Sequence, residues 1–270
     1  MNAKTTEYNN TFDFDRFEGD DRIKELKRLK MQANLVSHIE QKAISEIGFK
    51  EDGIFVDVGC GPGFVTGNIA GNYSNLRIIG LDTSRELLNA ANMMVKPNYE
   101  NLEFNEGDAY STGLPDNYAD VVYSRLLYQH LEHPRKAMAE AKRILKPGGK
   151  LCILDVDDQL QVFYPELPSF LLLQESAKNA QKMNGGNRHI GRELSHLMKD
   201  VGFDTIDFVF GGVSTLDIGF DAFFEIVVSF KAQIVGDKES YILENLKNEI
   251  DSLDRTPFGM AGVPLVIGNV

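Results

Sequence analysis

Three glycines at alternate positions, Gly59, Gly61 and Gly63, follow the apolar run Ile54–Val58 and precede a helix-forming segment. Glycine allows the backbone to turn tightly and to approach a ligand closely. The helix that follows offers unpaired N–H groups and the positive end of its dipole to an anion such as a carboxylate. The segment Val56-Asp-Val-Gly-Cys-Gly-Pro-Gly63 therefore predicts a ligand-binding turn between a strand and a helix.

Acidic residues end the next two apolar runs. Asp82 closes Ile78-Ile-Gly-Leu-Asp82, and Asp108 lies in Glu106-Gly-Asp-Ala109 after the third run. An acid at the end of the second strand can accept both hydroxyls of a ribose. A carboxylate and a free N–H after the third strand suit an adenine edge. Ligand groups at three successive strand ends predict an elongated nucleoside across the carboxyl edge of a sheet.

Two well-known glycine-containing turns that bind phosphate fit this spacing poorly. A nicotinamide dehydrogenase carries Gly-x-Gly-x-x-Gly, whereas here the third glycine comes one residue early and position 64 is Phe. A P-loop requires Gly-Lys-Ser/Thr, which does not follow Gly63. The spacing therefore argues against both classes.

Short apolar runs alternate with helix-length segments between residues 54 and 155. This alternation favours a parallel sheet covered by helices on both faces. The segment Lys146-Pro-Gly-Gly-Lys150 predicts a tight turn before the fifth strand. The predicted strands are Ile54–Val58, Leu76–Leu81, Leu102–Glu106, Ala119–Ser124 and Lys150–Asp155, and the helices between them are Phe64–Ala70, Ser84–Met94 and Arg135–Leu145.

The flanking regions complete the predicted fold. An amphipathic helix ends near Ile47, and an aromatic-rich region follows Asp158. We expect an α/β fold: a doubly wound, mostly parallel, seven-stranded Rossmann-like sheet in residues 49–270, with an N-terminal arm and helix in residues 1–48. Helical cap insertions are expected at about 159–190 and 216–256. The later predicted elements are a helix at Gly191–Val201, a strand near Thr205–Phe210, an apolar helix at Phe220–Phe230 and a final strand at Ala261–Val270.

From about Gly53 to Asp155 the chain resembles the class I S-adenosylmethionine-dependent methyltransferases. Within that superfamily it is most similar to small-molecule methyltransferases of the ubiquinone- and sterol-methylating type. The resemblance is specific because several motifs occur in order at the right spacing. These motifs are Asp57-x-Gly59-x-Gly61-x-Gly63, Leu114–Arg125, Gln129-His-Leu-Glu-His-Pro134 and Arg143-Ile-Leu-Lys-Pro-Gly-Gly149.

The resemblance implies S-adenosyl-L-methionine as cofactor and assigns residues to its parts. The glycine turn, in the motif that begins at Asp57, holds the methionine part. The other implied contacts are Asp82, with Thr83 beside it, at the ribose; Asp108 and the Ala109 N–H at the adenine; and Ser124 and Arg125 at the border of the methyl-donor site.

His130 is the candidate catalytic base. In phosphoethanolamine methyltransferases a histidine at the same step after Ser-Arg pairs with an N-terminal tyrosine over the donor site. The resemblance therefore implies that Tyr8 is the partner of His130, on an arm that acts as a lid. The alternatives are a structural histidine near a helix start and an N-terminal arm without a catalytic role.

Several polar residues beyond the fifth strand have two interpretations. Asp155, Asp157 and Asp158 resemble the metal ligands of catechol-type enzymes, but that family also has an acid where Ser124 stands. We therefore expect no metal and interpret these acids as helix caps or solvated charges. Arg188 either contacts a substrate carboxylate or hydroxyl or caps a helix.

Composition limits the partners. The 40 acidic and 28 basic residues give a net charge of −12, which disfavours nucleic acid and anionic membrane. The longest apolar runs fall short of the ~20 residues of a membrane span. The start Met1–Glu7 lacks the apolar core of a secretion signal, which predicts a cytoplasmic protein. Two cysteines are too few for a disulfide framework.

Aromatic residues of the cap indicate the acceptor. They either form apolar walls for a small apolar or aromatic metabolite, pack the cap on the sheet, or form a homodimer surface. These residues are Phe163, Tyr164, Phe170, Phe220, Phe223 and Phe224. The predicted function is methyl transfer to such a metabolite at O, N, C or S by in-line displacement. The alternatives are a protein of the same fold that binds the cofactor without methylating, and a protein methyltransferase.

Overall fold

A computed structural model describes residue 14 and residues 18–270, except for residues 36, 38–40, 42–43, 46, 49, 51 and 237–238. A first helix, α1 (Gly19–Leu35), precedes an alternation of strands and helices. This alternation comprises β1 (Ile54–Val58), α2 (Phe64–Asn72), β2 (Arg77–Asp82), α3 (Arg85–Met94), β3 (Leu102–Glu106), β4 (Ala119–Arg125), α4 (Pro134–Ile144) and β5 (Leu145–Leu154).

The second half supplies three further strands and the cap helices. Its elements are β6 (Gln161–Tyr164), α5 (Pro168–Met183), α6 (Ile190–Val201), β7 (Ile206–Ser214), α7 (Thr215–Ile218), α8 (Phe220–Phe224), α9 (Phe230–Val235), α10 (Ser240–Asp251) and β8 (Phe258–Asn269). A π-helical turn, Glu225–Ser229, joins α8 to α9. Among the described residues, no helix is long and apolar enough to cross a membrane.

The eight strands form one mixed sheet. Strands β3, β2, β1, β4 and β5 lie side by side and parallel, and β8 runs antiparallel to β5. Strand β7 pairs with one edge of β8, and β6 pairs with the other edge beyond β5. The parallel order places the carboxyl ends of β1 to β5 along one edge, as predicted. The α/β prediction is confirmed, and β6 is an eighth strand in a segment predicted as helical cap.

Helix and strand ends follow local chemistry. Ser84 caps α3 because its side chain accepts the N–H of Leu87, and Pro134 starts α4, where its missing N–H costs nothing. The predicted turn at Lys146–Lys150 lies inside β5 as a register shift, because Leu145 pairs with Ala119 and Lys150 with Val121. The predicted tight turn is therefore retained as an irregularity of the strand.

Three hydrophobic clusters hold the layers together. Apolar side chains cover both faces of the parallel sheet, one cluster including Ile79 and Met138 and the other including Phe55 and Ile78. A third cluster fills the space beneath the cap and includes Phe170. Apolar burial is the main stabilising term of such a fold. The rigid sheet therefore positions the loops at its carboxyl edge.

Candidate active site

The glycine turn folds back onto the end of β2. The amides of Gly59 and Cys60 both donate to the carbonyl of Leu81, at 2.8 and 3.0 Å. The φ angles of Gly59, Gly61 and Gly63 are 77°, 55° and 73°. Only glycine adopts this backbone region without steric cost. The shape of the turn therefore depends on all three glycines.

The three glycines differ in what a side chain would meet. A Cβ atom on Gly63 would lie 2.3 Å from Phe104, and one on Gly59 would lie 3.0 Å from Leu127. A Cβ atom on Gly61 would meet none of the described residues within 4 Å. Gly59 and Gly63 thus allow close packing inside the protein, whereas Gly61 faces a space at the carboxyl edge that no described residue fills. A ligand can approach the backbone at that point.

Asp82, the predicted ribose ligand, is tied to the glycine turn. Its Oδ2 accepts the amide N–H of Gly61 at 2.8 Å, and its Oδ1 accepts that of Ser84 at 2.9 Å. These two amides take two of the about four acceptor sites of a carboxylate. The carboxylate is half-buried, and the neighbouring Thr83 is exposed. Asp82 therefore has a fixed position beside the turn.

The predicted adenine residues lie in a compact turn after β3. Asp108 Oδ1 accepts the N–H of Tyr110 at 2.8 Å, and the Asp108 carbonyl accepts the N–H of Ser111 at 3.0 Å. The N–H of Ala109 has no hydrogen-bond partner within the part of the chain that the structure describes. Because β3 lies beside β2, this turn follows the strand next to Asp82.

Asp57 and Ser124 belong to the framework beneath the turn. Asp57 accepts the hydroxyl of Thr66 at 2.7 Å, and the Ser124 hydroxyl donates to the carbonyl of Val58 at 3.0 Å. Both side chains are buried. They link β1 to α2 and to β4, and their direct contact with a cofactor stays a prediction.

Helix α1 crosses the carboxyl edge above these residues. It touches the ends or first turns of three elements of the sheet domain. The contacts are an ion pair of Arg22 with Glu86 at 2.8 Å, Lys30 above the ring of Phe64 at 5.8 Å, and a 3.5 Å hydrogen bond from Arg125 to the Gln32 carbonyl. Arg125, predicted at the methyl-donor site, thus reaches the covering helix.

Three polar groups converge on the half-buried ring of Phe230 in α9. The His130 ring meets it edge to face at 5.6 Å, and the guanidinium carbons of Arg28 and Arg188 lie 5.6 and 5.4 Å from its centre. Arg28 also pairs with Glu25 at 2.6 Å within α1. This constellation joins α1, the loop after β4 and the cap. Arg28 and Phe230 have no sequence signal that marks them, because they are about 200 residues apart.

The surroundings of His130 disfavour its charged form. The side chain is only 8% exposed, and burial, with smaller effects from Arg188 and Arg28, lowers the pKa of His130 to about 3. The imidazole is therefore neutral at neutral pH. That is the protonation state a proton acceptor needs, although so low a pKa makes it a weak one. Tyr8, its predicted partner, lies outside the described residues.

Arg188 is held by buried neighbours rather than open to solvent. It donates to Asp158 at 2.9 and 2.7 Å and to Gln129 Oε1 at 2.6 Å. Lys231 Nζ lies 3.4 Å from the same carboxylate and donates to Gln161 at 2.5 Å. Burial raises the pKa of Asp158, but the two cations outweigh it and bring this pKa to about 2. Burial lowers the pKa of Lys231 to about 8.

The three acids after β5 diverge to separate partners. Asp157 pairs with Arg192, Asp158 pairs with Arg188, and Asp155 accepts amide N–H groups. Burial raises the pKa of Asp155 to about 7. No group of three potential metal ligands occurs among the residues that the structure describes.

The aromatic residues of the cap pack mainly against one another. The Phe163 ring lies edge to face against Phe170 at 4.8 Å and against Phe223 at 5.6 Å, and all three are buried. Phe220 and Phe224 pack against the same cluster, whereas Tyr164 is exposed. These contacts match the alternative in which the aromatic residues pack the cap.

The fold is that of a Rossmann-like α/β protein, and the candidate site lies at the carboxyl edge of its sheet. Residues 56–153 match a family model described as a methyltransferase domain. The chain is 35% identical over 147 residues to an uncharacterised methyltransferase of Schizosaccharomyces pombe, covering 52% of each chain. It is 28% identical over 134 residues to the ubiquinone/menaquinone biosynthesis C-methyltransferase UbiE of Francisella philomiragia, covering 44% of this chain and 54% of that protein.

Solved structures share the fold. The YcgJ protein of Bacillus subtilis superposes with a TM-score of 0.62 at 18% identity, covering 86% of this chain and 98% of that one. Phosphoethanolamine N-methyltransferase 2 of Haemonchus contortus, solved with S-adenosyl-L-methionine, has a TM-score of 0.54 at 20% identity, covering 84% and 50%. The chain spans about half the length of the curated relatives it matches.

Residues 56–153 therefore form a methyltransferase domain, similar to those of the class I S-adenosylmethionine-dependent methyltransferases, and S-adenosylmethionine is the cofactor that these similarities support. The residues present fit that cofactor, because Gly61 faces a space that no described residue fills and the N–H of Ala109 is unpaired within the described chain.

Proposed function

We propose that this protein transfers a methyl group from S-adenosylmethionine to a small acceptor molecule at the carboxyl edge of its sheet. The observation that carries the proposal is the hydrogen bond between Gly61 and Asp82, which fixes the glycine turn beside the acid predicted to bind the ribose. The similarity of the chain to methyltransferases supports the same reaction. A non-methylating cofactor-binding protein is the less favoured alternative.

The proposed cofactor residues divide its parts among three strand ends. The backbone at Gly59, Gly61 and Gly63 would hold the methionine part. Asp82, with Thr83 beside it, would accept hydrogen bonds from the ribose hydroxyls. Asp108 and the N–H of Ala109 would hold the adenine, with Asp57 and Ser124 supporting the turn from below and Arg125 bordering the donor site.

When bound, the sulfonium cofactor supplies an activated methyl group for in-line displacement. The chain itself must then align the acceptor and exclude water. Helix α1 is suited to the second task because it crosses the carboxyl edge and contacts both the sheet domain and α9. We assign His130, with Tyr8 as its partner, to take the proton of an acceptor that must lose one. The neutral state of the imidazole supports this role.

We infer that the acceptor is a small metabolite with an apolar or aromatic part. The half-buried ring of Phe230, next to His130 and beneath α1, is the surface that supports this inference. The net charge of −12 favours a small molecule over nucleic acid or an anionic membrane. Both cysteines are free thiols, which fits a protein that acts in the reducing cytoplasm.

Calorimetric titration with S-adenosylmethionine, S-adenosylhomocysteine and NADH tests the cofactor. We expect micromolar binding of the first two and none of NADH. Binding of NADH alone, or of none of the three, would contradict the proposal. A second step measures methyl uptake from labelled cofactor by a panel of phenols, quinols, aromatic acids, amines and thiols. Cofactor binding without uptake by any acceptor, including a protein extract, would favour the non-methylating alternative.

Substitution of Phe230 locates the acceptor once one is found. Phe230→Ala is expected to raise the acceptor KM roughly 10-fold or more, because it removes the apolar surface beside His130. The Kd of S-adenosylmethionine should change little. Tyr241→Ala is the matched control, since Tyr241 is an exposed aromatic residue of α10.

A further inference from the structure

On one side of β6, β7 and β8, helix α6 packs against β8 at Pro264 and Val266, and the rest of that side has no helix over it among the described residues. Large apolar side chains, each between 36% and 78% exposed, lie on this face. They are Leu160, just before β6, Val162 and Tyr164 of β6, Phe258 and Met260 of β8, and Phe208 and Phe210 of β7. We call these seven residues the outer apolar face. Their number is unusual because isolated exposed apolar residues, not clusters, are the normal case.

The strand register places these residues on the same side. Directly paired residues of antiparallel strands point to the same face. Met260 pairs with Val162 on one edge and with Ser214 on the other, and Phe258 pairs with Tyr164. Because side chains alternate along a strand, the even-numbered residues of β7 and β8 share one face.

Contacts across Gly262 confirm that the face is continuous. A Cβ atom on Gly262 would lie 2.5 Å from the Phe210 ring and 3.1 Å from Leu160. The Phe208 and Phe210 rings stack with their centres 6.2 Å apart. The patch therefore runs from β7 across β8 to β6.

The other side of these strands is already occupied. Phe163 and Ala261 are buried in the cluster beneath the cap, and a Cβ atom on Gly259 would collide with Phe223 at 2.5 Å. The cap thus accounts for one side of this part of the sheet. On the opposite side, no element of the described chain covers the seven exposed apolar residues.

The area of the outer apolar face matches that of a dimer interface. With roughly 200 Å² for each large residue, the exposed fractions amount to about 700 Å² of mainly apolar surface. The largest apolar patch of a typical monomer is about 300–600 Å². A standard interface buries about 800 Å² on each partner. The face is therefore large enough to supply most of one side of a stable interface.

The chemistry of the face indicates its occupant. None of its seven residues is charged. The other residues that share this side between the seven, Gly212, Ser214 and Gly262, are uncharged as well, although the whole chain has a net charge of −12. A basic partner attracted by the acidic chain would find no carboxylate on this face with which to pair. A second copy presents a matching flat and uncharged face, and sheet faces pack on each other about 10 Å apart. We propose that the outer apolar face is the interface of a homodimer related by a twofold axis.

Sedimentation velocity and light scattering over a wide concentration range test the proposal. The wild-type chain is expected to have the mass of two copies. Met260→Glu places a carboxylate near the middle of the face and, by symmetry, a second one on the partner. We expect this change to weaken dimerisation roughly 100-fold or more. Phe208→Glu, at the β7 side of the face, should act in the same direction.

Met183→Glu is the matched control, because Met183 is an exposed methionine at the end of α5, on the cap side of the sheet. It should leave the dimer intact. Thermal melting and cofactor titration verify that each variant is folded. A wild-type chain that stays monomeric at all concentrations overturns the proposal and leaves the face to another partner. A dimer that persists unchanged in folded Met260→Glu and Phe208→Glu overturns it as well.

Discussion

Asp82 Oδ2 accepts the amide N–H of Gly61 at 2.8 Å, so one carboxylate both shapes the glycine turn and stands at the end of β2. This double role means that Asp82 cannot be replaced without moving the turn. The hydrogen bond also joins two residues that lie 21 positions apart in the sequence but are adjacent at the carboxyl edge. The first two predictions follow from this contact.

Asp82→Ala should weaken binding of S-adenosylmethionine about 100-fold or more, because it removes the proposed ribose acceptor and releases the Gly61 amide. Calorimetric titration measures the effect. Asp204→Ala is the control, because Asp204 is exposed near the opposite, amino edge of the sheet, where its amide donates to Asn269. Equal affinities of the two variants would contradict the role of Asp82.

Gly61→Ala and Gly63→Ala should separate binding from folding. Each places a side chain at positive φ, which costs roughly 1–2 kcal/mol. In Gly63→Ala the added methyl also collides with Phe104, so this variant should melt at a much lower temperature. In Gly61→Ala the methyl enters the open space beside the backbone, so the fold should survive and cofactor affinity should fall at least about 10-fold. Melting curves and cofactor titrations of both variants test this prediction. A Gly61→Ala protein that melts at a lower temperature than Gly63→Ala and keeps its cofactor affinity would contradict the proposed role of Gly61.

Arg188→Met should destabilise the protein by about 3 kcal/mol, because it leaves Asp158 buried with Lys231 as its remaining cation. Denaturation with urea measures the free energy of unfolding. The matched control is Arg135→Met, which breaks an exposed pair with Asp200 and should cost under about 1 kcal/mol. Similar losses in both variants would show that burial does not strengthen the Arg188 contact.

His130 should make the fold sensitive to acid. Its folded pKa of about 3 lies below the ordinary value of 6.5, so below pH 6.5 the unfolded chain binds a proton that the folded chain refuses. Stability from this group is present above pH 6.5 and is lost as the pH falls toward 3, by about 2 kcal/mol at pH 5. Asp155 acts in the opposite sense, because burial raises its folded pKa to about 7. Only a comparison of variants therefore isolates the histidine.

His130→Gln provides that comparison. Relative to wild type, the variant should gain about 2 kcal/mol between pH 7 and pH 5 in urea denaturation. His196→Gln, at an exposed histidine of α6, should follow the wild-type curve. If His130 is also the base, His130→Gln should lower kcat about 100-fold or more. Unchanged kcat would leave the histidine a structural role alone.

The parallel half of the sheet could be predicted because its signals are local. The bounds of β1 and β3 coincide with the predicted Ile54–Val58 and Leu102–Glu106, since β1 is a mostly apolar run that stops before a glycine and β3 alternates apolar and polar residues up to Glu106. Strand β6 escaped prediction because it has only four residues and its partner β8 lies about 100 residues later in the chain. Pairing at such separation leaves no periodic pattern in the sequence.

The candidate site shows the same difference. The placement of Gly61, Asp82 and Asp108 at neighbouring strand ends could be predicted, because parallel strands bring those ends together, and their contacts with a cofactor stay predictions. The contact between Arg28 and Phe230 could not be predicted from the sequence. An arginine on a polar helix such as α1 is expected at the surface, and Arg28 is buried only because the distant helix α9 packs beside it. Arg188 was noticed in the sequence, but its buried pairing with Asp158 required the folded cap.

The contacts of α1 have a consequence for turnover. Among the described residues, its polar contacts with the sheet domain include a partly exposed ion pair, a long hydrogen bond and a cation–ring contact, each worth about 1 kcal/mol or less. Undocking this helix is therefore far easier than opening the sheet beneath it. We expect spent cofactor to leave when α1 lifts, so that the residence time of the product is governed by a single helix and not by the chemistry of transfer.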